Sequence, residues 1–282
     1  MITAELLLGV ASLLVASGPS IRFTSLAYLV MAGYMGLGGS AAINSYLDRD
    51  IDALMPRTAS RPIPSGRLKA RNVLLFGCIL IVASVLMSYL LINPVTAAII
   101  GLGSFLYLVF YSILLKRRTP NAVIWGGLAG AIPAFGGWSV YTEGHLQVPL
   151  LIFMVVFFWQ PSHFWNLSIY YREDYVTAGV PVGPAVKDLR YITEMSFIFN
   201  LATAATTYAL YFITHLALEF LVAITVMNIA LLVISAGGMS MKGREYYRRA
   251  FLFSVLYMFV FIICLAVSGL ISPHSYLSSG FL

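Results

Sequence analysis

The chain has 282 residues, 60% of them hydrophobic and 10% charged, with a net charge of +6 and a mean hydropathy of +0.89. Soluble domains carry about 25% charged residues, so this chain cannot cover a water-facing surface and reads as an integral membrane protein. Its apolar runs are long and continuous rather than alternating, which excludes an outer-membrane-type barrel and predicts an all-α polytopic bundle.

Nine hydrophobic segments are read in chain order, at 2–17, 23–47, 71–92, 94–115, 122–142, 148–171, 190–213, 215–237 and 250–271. Most have about the 20 residues that a bilayer span requires. The first lacks a basic leader region and is expected to stay as a span. The connections after the second, fourth, sixth and eighth segments, with the first residues of the segments that follow them, hold 16 of the 17 Lys and Arg residues; only Arg22 falls on the other side. The positive-inside rule therefore predicts nine transmembrane helices with a cytoplasmic N-terminus and an external C-terminus. Cys78 and Cys264 both lie in apolar runs and form no metal or disulfide framework. Nothing in this pattern points to a nucleic-acid partner; the net positive charge is mostly topology signal.

The second segment runs into the stretch NSYLDRDIDALMPRTASRPIPSG, residues 44–66. If the helix continues through Asp52, then Asn44, Asp48 and Asp52 stand at i, i+4 and i+8 on one face, while Asp50 points about 200° away from Asp48. An EF-hand is ruled out, because its sixth and twelfth positions must be Gly and Glu and are here Ala53 and Ala59. A solvated helix end is the bland alternative. Against it, an ionised acid at bilayer depth costs roughly 2.5–3.5 kcal/mol, and two on one face repel each other. A divalent cation would remove both penalties, and carboxylate and amide oxygens suit Mg2+ together with substrate phosphates. Arg57, Arg61 and Arg67 follow directly, as a diphosphate would need.

The fourth segment ends in KRRTPN, so Lys116 and Arg117 join the site only if that loop folds toward the same cavity. The glycine-rich fifth segment is read as close helix packing and given no chemistry. The sixth places His163 and several aromatics, among them Trp165, inside the membrane in FFWQPSHFWNL, and ends in IYYREDYVTAGVP with Arg172, Glu173 and Asp174. An intramembrane ionisable residue is a functional candidate by default. A core histidine bonded to a backbone carbonyl is the competing reading of His163, and a core or interfacial role is the competing reading of most of the aromatics. The inner loops 48–70 and 172–189 are long and polar, which marks them as functional.

Together the N-x3-D-x3-D of Asn44, Asp48 and Asp52, the nine spans and the second acidic inner loop resemble the UbiA superfamily of intramembrane prenyltransferases. The stretches NSYLDRDIDALMPRTASRPIPSG, LLKRRTPNAVIWGGLAGAIPAFGGW and HFWNLSIYYREDYVTAGVPVGP are most similar to its haem-farnesylating branch. The resemblance implies one domain over residues 1–282, with nine helices around a central cavity capped by the two inner loops, in the inner (plasma) membrane. It implies farnesyl diphosphate and haem B as substrates and Mg2+ as cofactor, with haem A synthase or a terminal-oxidase assembly as candidate partners. The superfamily's second motif carries two aspartates; here Tyr171 stands where one would be and leaves Asp174. The implied metal set is Asn44, Asp48, Asp52 and Asp174. Arg57, Arg61, Lys116, Arg117, Arg172 and Trp165 are the implied substrate contacts. His163 could orient the porphyrin, ligate its iron or accept a proton. The rival readings are a prenyltransferase of the same fold acting on a quinone precursor or a glycerol lipid and, in a different class, a transporter built on intramembrane acids.

Overall fold

The computed structural model of the protein describes residues 2–141 and 144–271. Its long helices are α1 (Ile2–Ser17), α2 (Phe23–Leu47), α4 (Ala70–Leu91), α5 (Pro94–Phe105), α8 (Gln147–Tyr170), α11 (Leu189–Thr214), α12 (Leu218–Gly238) and α13 (Arg244–Ile271). The ladder of α5 runs on through Leu115 as a π-helical stretch, Leu106–Leu115. Among the described residues, eight elements are long and apolar enough to cross a membrane. The fifth expected segment forms two shorter apolar helices, α6 (Ala122–Ala131) and α7 (Pro133–Trp138), because Pro133 has no N–H to continue the ladder. Thr142, the end expected for that segment, lies outside the described residues, as does the C-terminal end of the chain.

Boundaries match the hydropathy reading except at α13, which starts at Arg244 instead of residue 250. Its first turns are charged and therefore invisible to a hydropathy window. They are helical nonetheless, with Arg248 reaching Glu245 at 3.5 Å, since long charged side chains at a membrane boundary extend to water.

Consecutive helices pack side by side, and α13 returns to lie against α1, closing a ring. A close backbone approach joins α2 to α4: a Cβ on Gly39 would stand 2.8 Å from the Gly77 carbonyl oxygen, and one on Gly77 would stand 2.8 Å from that of Gly39. Only glycine permits this contact, and it anchors α2 little more than one turn before Asn44. The main apolar core, with Leu8, Val15, Trp138, Ile152, Phe220, Tyr257 and Phe261, fills the end where α8 and α12 begin.

The opposite end carries the inner connections. The first contains the short helix α3 (Arg49–Leu54) and a run of turns; the second contains α9 (Arg172–Thr177) and α10 (Gly183–Val186). Ile51 and Met55 of the first share a buried apolar cluster with Tyr175, Val180 and Val182 of the second. The two connections thus form one unit over that end of the bundle.

Candidate active site

The helix of α2 breaks only in name at Asp48, whose φ and ψ are −90° and 1°. The Asp48 N–H still bonds to the Asn44 carbonyl at 2.9 Å, and the Asp52 N–H bonds to that of Asp48 at 2.8 Å. Helical spacing is therefore kept from Asn44 to Asp52. Asp48 and Asp52 are 3% and 5% exposed, whereas Asp50 is exposed.

Each buried carboxylate holds a cation. Lys116 pairs with Asp48 Oδ2, and Arg61 Nη1 donates to Asp52 Oδ2 at 2.7 Å. Asn44 Nδ2 also donates to Asp48 Oδ2, at 2.9 Å, while its Oδ1 accepts from the Ser112 hydroxyl at 2.9 Å. The π-helical stretch puts Ser112 and Lys116 on the side facing α2, with the Lys116 N–H bonded five residues back to the Tyr111 carbonyl. Such widened turns recur at functional sites. Burying an isolated carboxylate costs several kcal/mol, and these cations offset that cost. Asp50 instead receives both Nη atoms of Arg117, at 2.7 and 2.6 Å, and Arg117 also donates to the Leu47 carbonyl. That hydrogen-bonded guanidinium holds the Asp50 carboxyl down to about 2.

The second inner connection faces open space. Asp174, half-buried, lines a cavity of about 440 Å³ with Pro56, Arg57, Tyr170, Tyr171, Glu173 and Arg244. The Arg57 guanidinium lies over the Tyr171 ring, 4.9 Å from its centroid. Arg172 is exposed and is not part of this lining.

His163 stands deeper on α8. Its ring stacks on Trp159, with centroids 4.2 Å apart, and meets Phe251 of α13 at 4.6 Å. Nδ1 lies 2.7 Å from the Ser254 hydroxyl oxygen. Trp165, two residues on, turns to another side of the helix: it is 3% exposed and packs with Phe199, Ile192 and Tyr247. The structure thus brings Asn44, Asp48, Asp52, Arg61 and Lys116 together, joins Asp174 to Arg57, and leaves Trp165, Arg172 and the Asp50-bound Arg117 apart. Ser112, Tyr170, Arg244 and Ser254 escaped sequence reasoning. Only the helical spacing of Tyr170 from His163 would have hinted at one of them.

Among the described residues no three His, Cys, Asp or Glu side chains gather as a complete metal cage. The donors available are hard oxygens: two buried carboxylates from one connection and Asp174 from the connection packed on it. That set fits a hard cation whose remaining ligands come from a diphosphate.

The model of the UbiA prenyltransferase family matches residues 6–263. The chain belongs to the UbiA prenyltransferase family. Among its UbiA relatives is a protoheme IX farnesyltransferase of Gluconacetobacter diazotrophicus, 36% identical over 94% of this chain and 85% of the relative. Another, of Granulibacter bethesdensis, is 35% identical over 92% and 84%. The fold matches a digeranylgeranylglyceryl phosphate synthase structure with a TM-score of 0.78 at 18% identity, over 95% of this chain and 93% of the other. It also matches a UbiA homolog from Archaeoglobus fulgidus bound to DMAPP and Mg2+, with a TM-score of 0.65 at 15% identity, over 94% and 96%. The chain is thus a multi-pass UbiA membrane protein.

Proposed function

We propose that the chain is a Mg2+-dependent prenyltransferase that moves a farnesyl group from farnesyl diphosphate to a vinyl group of haem B, giving haem O and diphosphate. The acceptor reading rests on relatives that bear the name protoheme IX farnesyltransferase and align over more than nine tenths of the chain. The observation that carries the reaction class is the buried pair Asp48 and Asp52, each held by a cation, beside a cavity lined by Asp174 and Arg57.

In this reading Asn44, Asp48, Asp52 and Asp174 hold Mg2+, which, when bound, neutralises the diphosphate oxygens and stabilises them as a leaving group. Lys116 and Arg61 exchange their carboxylate partners for phosphate oxygens, with Arg57 beside them. Arg117 and Arg172, both exposed, contribute charge at the rim. The C1–O bond breaks with its electron pair leaving on the diphosphate, and aromatic faces stabilise the allylic cation in the interior. The vinyl carbon forms the new C–C bond, and water adds to the resulting cation and loses a proton. The paired inner connections cap the site, and their cations put them on the cytoplasmic side.

The test is to incubate the purified protein with haem B and prenyl diphosphates of several lengths, with and without a chelator, and to identify products by mass. The expected product is haem O, from the farnesyl donor and only with a divalent cation. Full turnover after exhaustive chelation, or prenylation of a different acceptor in place of haem, would overturn the corresponding part of the reading.

A further inference from the structure

We infer that the facing walls of α8 and α13 form the haem subsite, with His163 Nε2 on the iron and Arg244 and Arg248 on the propionates. The inference rests on the acceptor reading proposed above and deepens it.

The two helices present matching faces. Trp159, His163 and Tyr170 follow at four and seven residues along α8, and Arg244, Arg248 and Phe251 follow at four and three along α13. Both spacings return to one side of a helix. The helices pack against each other and run in opposite directions, so the faces pair end to end. At the loop end, the Arg244 and Arg248 guanidinium carbons each lie 5.9 Å from the centre of the Tyr170 ring. Two turns deeper, Phe251 and Ser254 meet His163.

Hydrogen bonding fixes the histidine tautomer. The Ser254 hydroxyl donates to the Phe251 carbonyl at 2.7 Å, so its single hydrogen is in use. With that hydrogen on the carbonyl, the 2.7 Å contact with His163 is Nδ1–H donating to Ser254 Oγ. The neutral ring keeps its lone pair on Nε2. Trp159 also ties its Nε1–H to the Ser254 carbonyl at 3.1 Å, which fixes the ring stacked on the imidazole. With Trp159 and Phe251 on its faces and Ser254 on Nδ1, the half-buried ring has only its Nε2 edge left to offer. A held Nδ1–H with an open Nε2 is the arrangement of a metal-ligating imidazole.

The spacing suits the ligand. Seven residues separate His163 from Tyr170, roughly 10 Å along the helix axis. Haem carries its iron at the centre and two carboxylates on one edge, with the vinyl groups away from that edge. Iron at His163 and propionates at the water-facing end leave the vinyl groups in the interior. Arginine is suited to carboxylates through its paired donors. Arg244 lines the open cavity and has no ion pair among the described residues. Among the described residues the one ion pair of Arg248 is the 3.5 Å contact with Glu245, which a propionate can displace. Glu173 and Asp174 line the same cavity, yet neither lies within ion-pair distance of these arginines. Arg61, Lys116 and Arg117, by contrast, are all engaged with the aspartates of the first connection.

The test uses the full-length protein in lipid nanodiscs, with haem B and its propionate dimethyl ester as probes. For Arg244→Gln/Arg248→Gln, the haem KM should rise about ten-fold or more while the farnesyl diphosphate KM stays unchanged, as expected for lost charge-assisted hydrogen bonds. On the dimethyl ester, variant and wild type should be alike. A rise in the farnesyl diphosphate KM instead, or equal use of haem and ester by wild type, would overturn the propionate assignment. In haem titrations without any prenyl donor, His163→Ala should lose the axial-ligand signature in the Soret and electron paramagnetic resonance spectra, and His163→Cys should replace it with a thiolate one. Identical spectra for wild type and His163→Ala would overturn the iron assignment. If wild type never prenylates haem, the proposed function falls; the donor-free titrations still decide whether this wall binds haem.

Discussion

In the first inner connection the two buried acids each hold a cation of the chain itself, Asp48 with Lys116 and Asp52 with Arg61. In the second, Asp174 lines an open cavity and has no ion pair among the described residues. The first region is neutralised from within, and its cations are poised to change partners when an anionic ligand arrives. The second keeps its carboxylate free for whatever enters the cavity. The same residue type is thus used as a stored charge on one side and as an open ligand on the other, and the two sides should respond differently to substitution.

The largest effect should come from the stored side. Asp48→Ala and Asp52→Ala should each lower haem O formation by about 10²–10³-fold or more, as expected for loss of a group that organises charge in the reaction. The measurement is product mass in membranes where the variant is present and folded. Lys116→Met should come next, and should act on stability. It leaves Asp48 buried with the Asn44 amide but without a counter-charge, a loss of about 3–5 kcal/mol. Thermal unfolding in detergent reads this, and added Mg2+ with diphosphate should restore the variant more than it raises wild type. Unchanged stability of the metal-free variant would mean that Asp48 is not neutralised from within. Asp174→Ala should cost turnover, about 10²-fold, but leave stability within about 0.5 kcal/mol, because the side chain has no ion pair to lose. Comparable stability losses for Lys116→Met and Asp174→Ala would erase the contrast between the two connections. Asp50→Ala should have the smallest effect, a change of no more than a few-fold, since Asp50 faces outward onto Arg117. An equal loss at Asp48, Asp50 and Asp52 would break the single-face geometry of the first connection.

The helix phase of Asn44, Asp48 and Asp52 was legible in the sequence because spacing along one helix is local information. So was the outward direction of Asp50, and so were most span boundaries. The partners were not. That Lys116 belongs to Asp48 and Arg117 to Asp50 depends on how the π-helical stretch rotates the end of its span, and one residue more or less per turn leaves no mark in composition. Ser112 and Ser254 were invisible for a related reason: a serine in an apolar run matters only through what faces it on another helix. Trp165 shows the reverse case. Its place in FFWQPSHFWNL joins it to His163 in sequence, yet two residues along a helix turn a side chain about 200° away. Arg244 looked like ordinary boundary charge because nothing local reveals that α13 lies along α8.

The internal partners of the two buried acids also set an order of assembly during synthesis. Asp52 is matched by an arginine only nine residues downstream, within the same connection. Asp48 is matched by a lysine 68 residues downstream. Two further spans, α4 and α5 with its π-helical extension, lie between them. At 5–20 residues per second, Asp48 waits on the order of several seconds after emergence before its counter-charge exists. During that interval the end of α2 has an acid that cannot yet be buried, so that end of the helix must stay near the interface. Completion of the α4–α5 hairpin delivers Lys116 and allows α2 to settle against α4 at Gly39 and Gly77. The ion pair thus works as a checkpoint in membrane insertion, closing the first half of the ring only after its fourth span has been made.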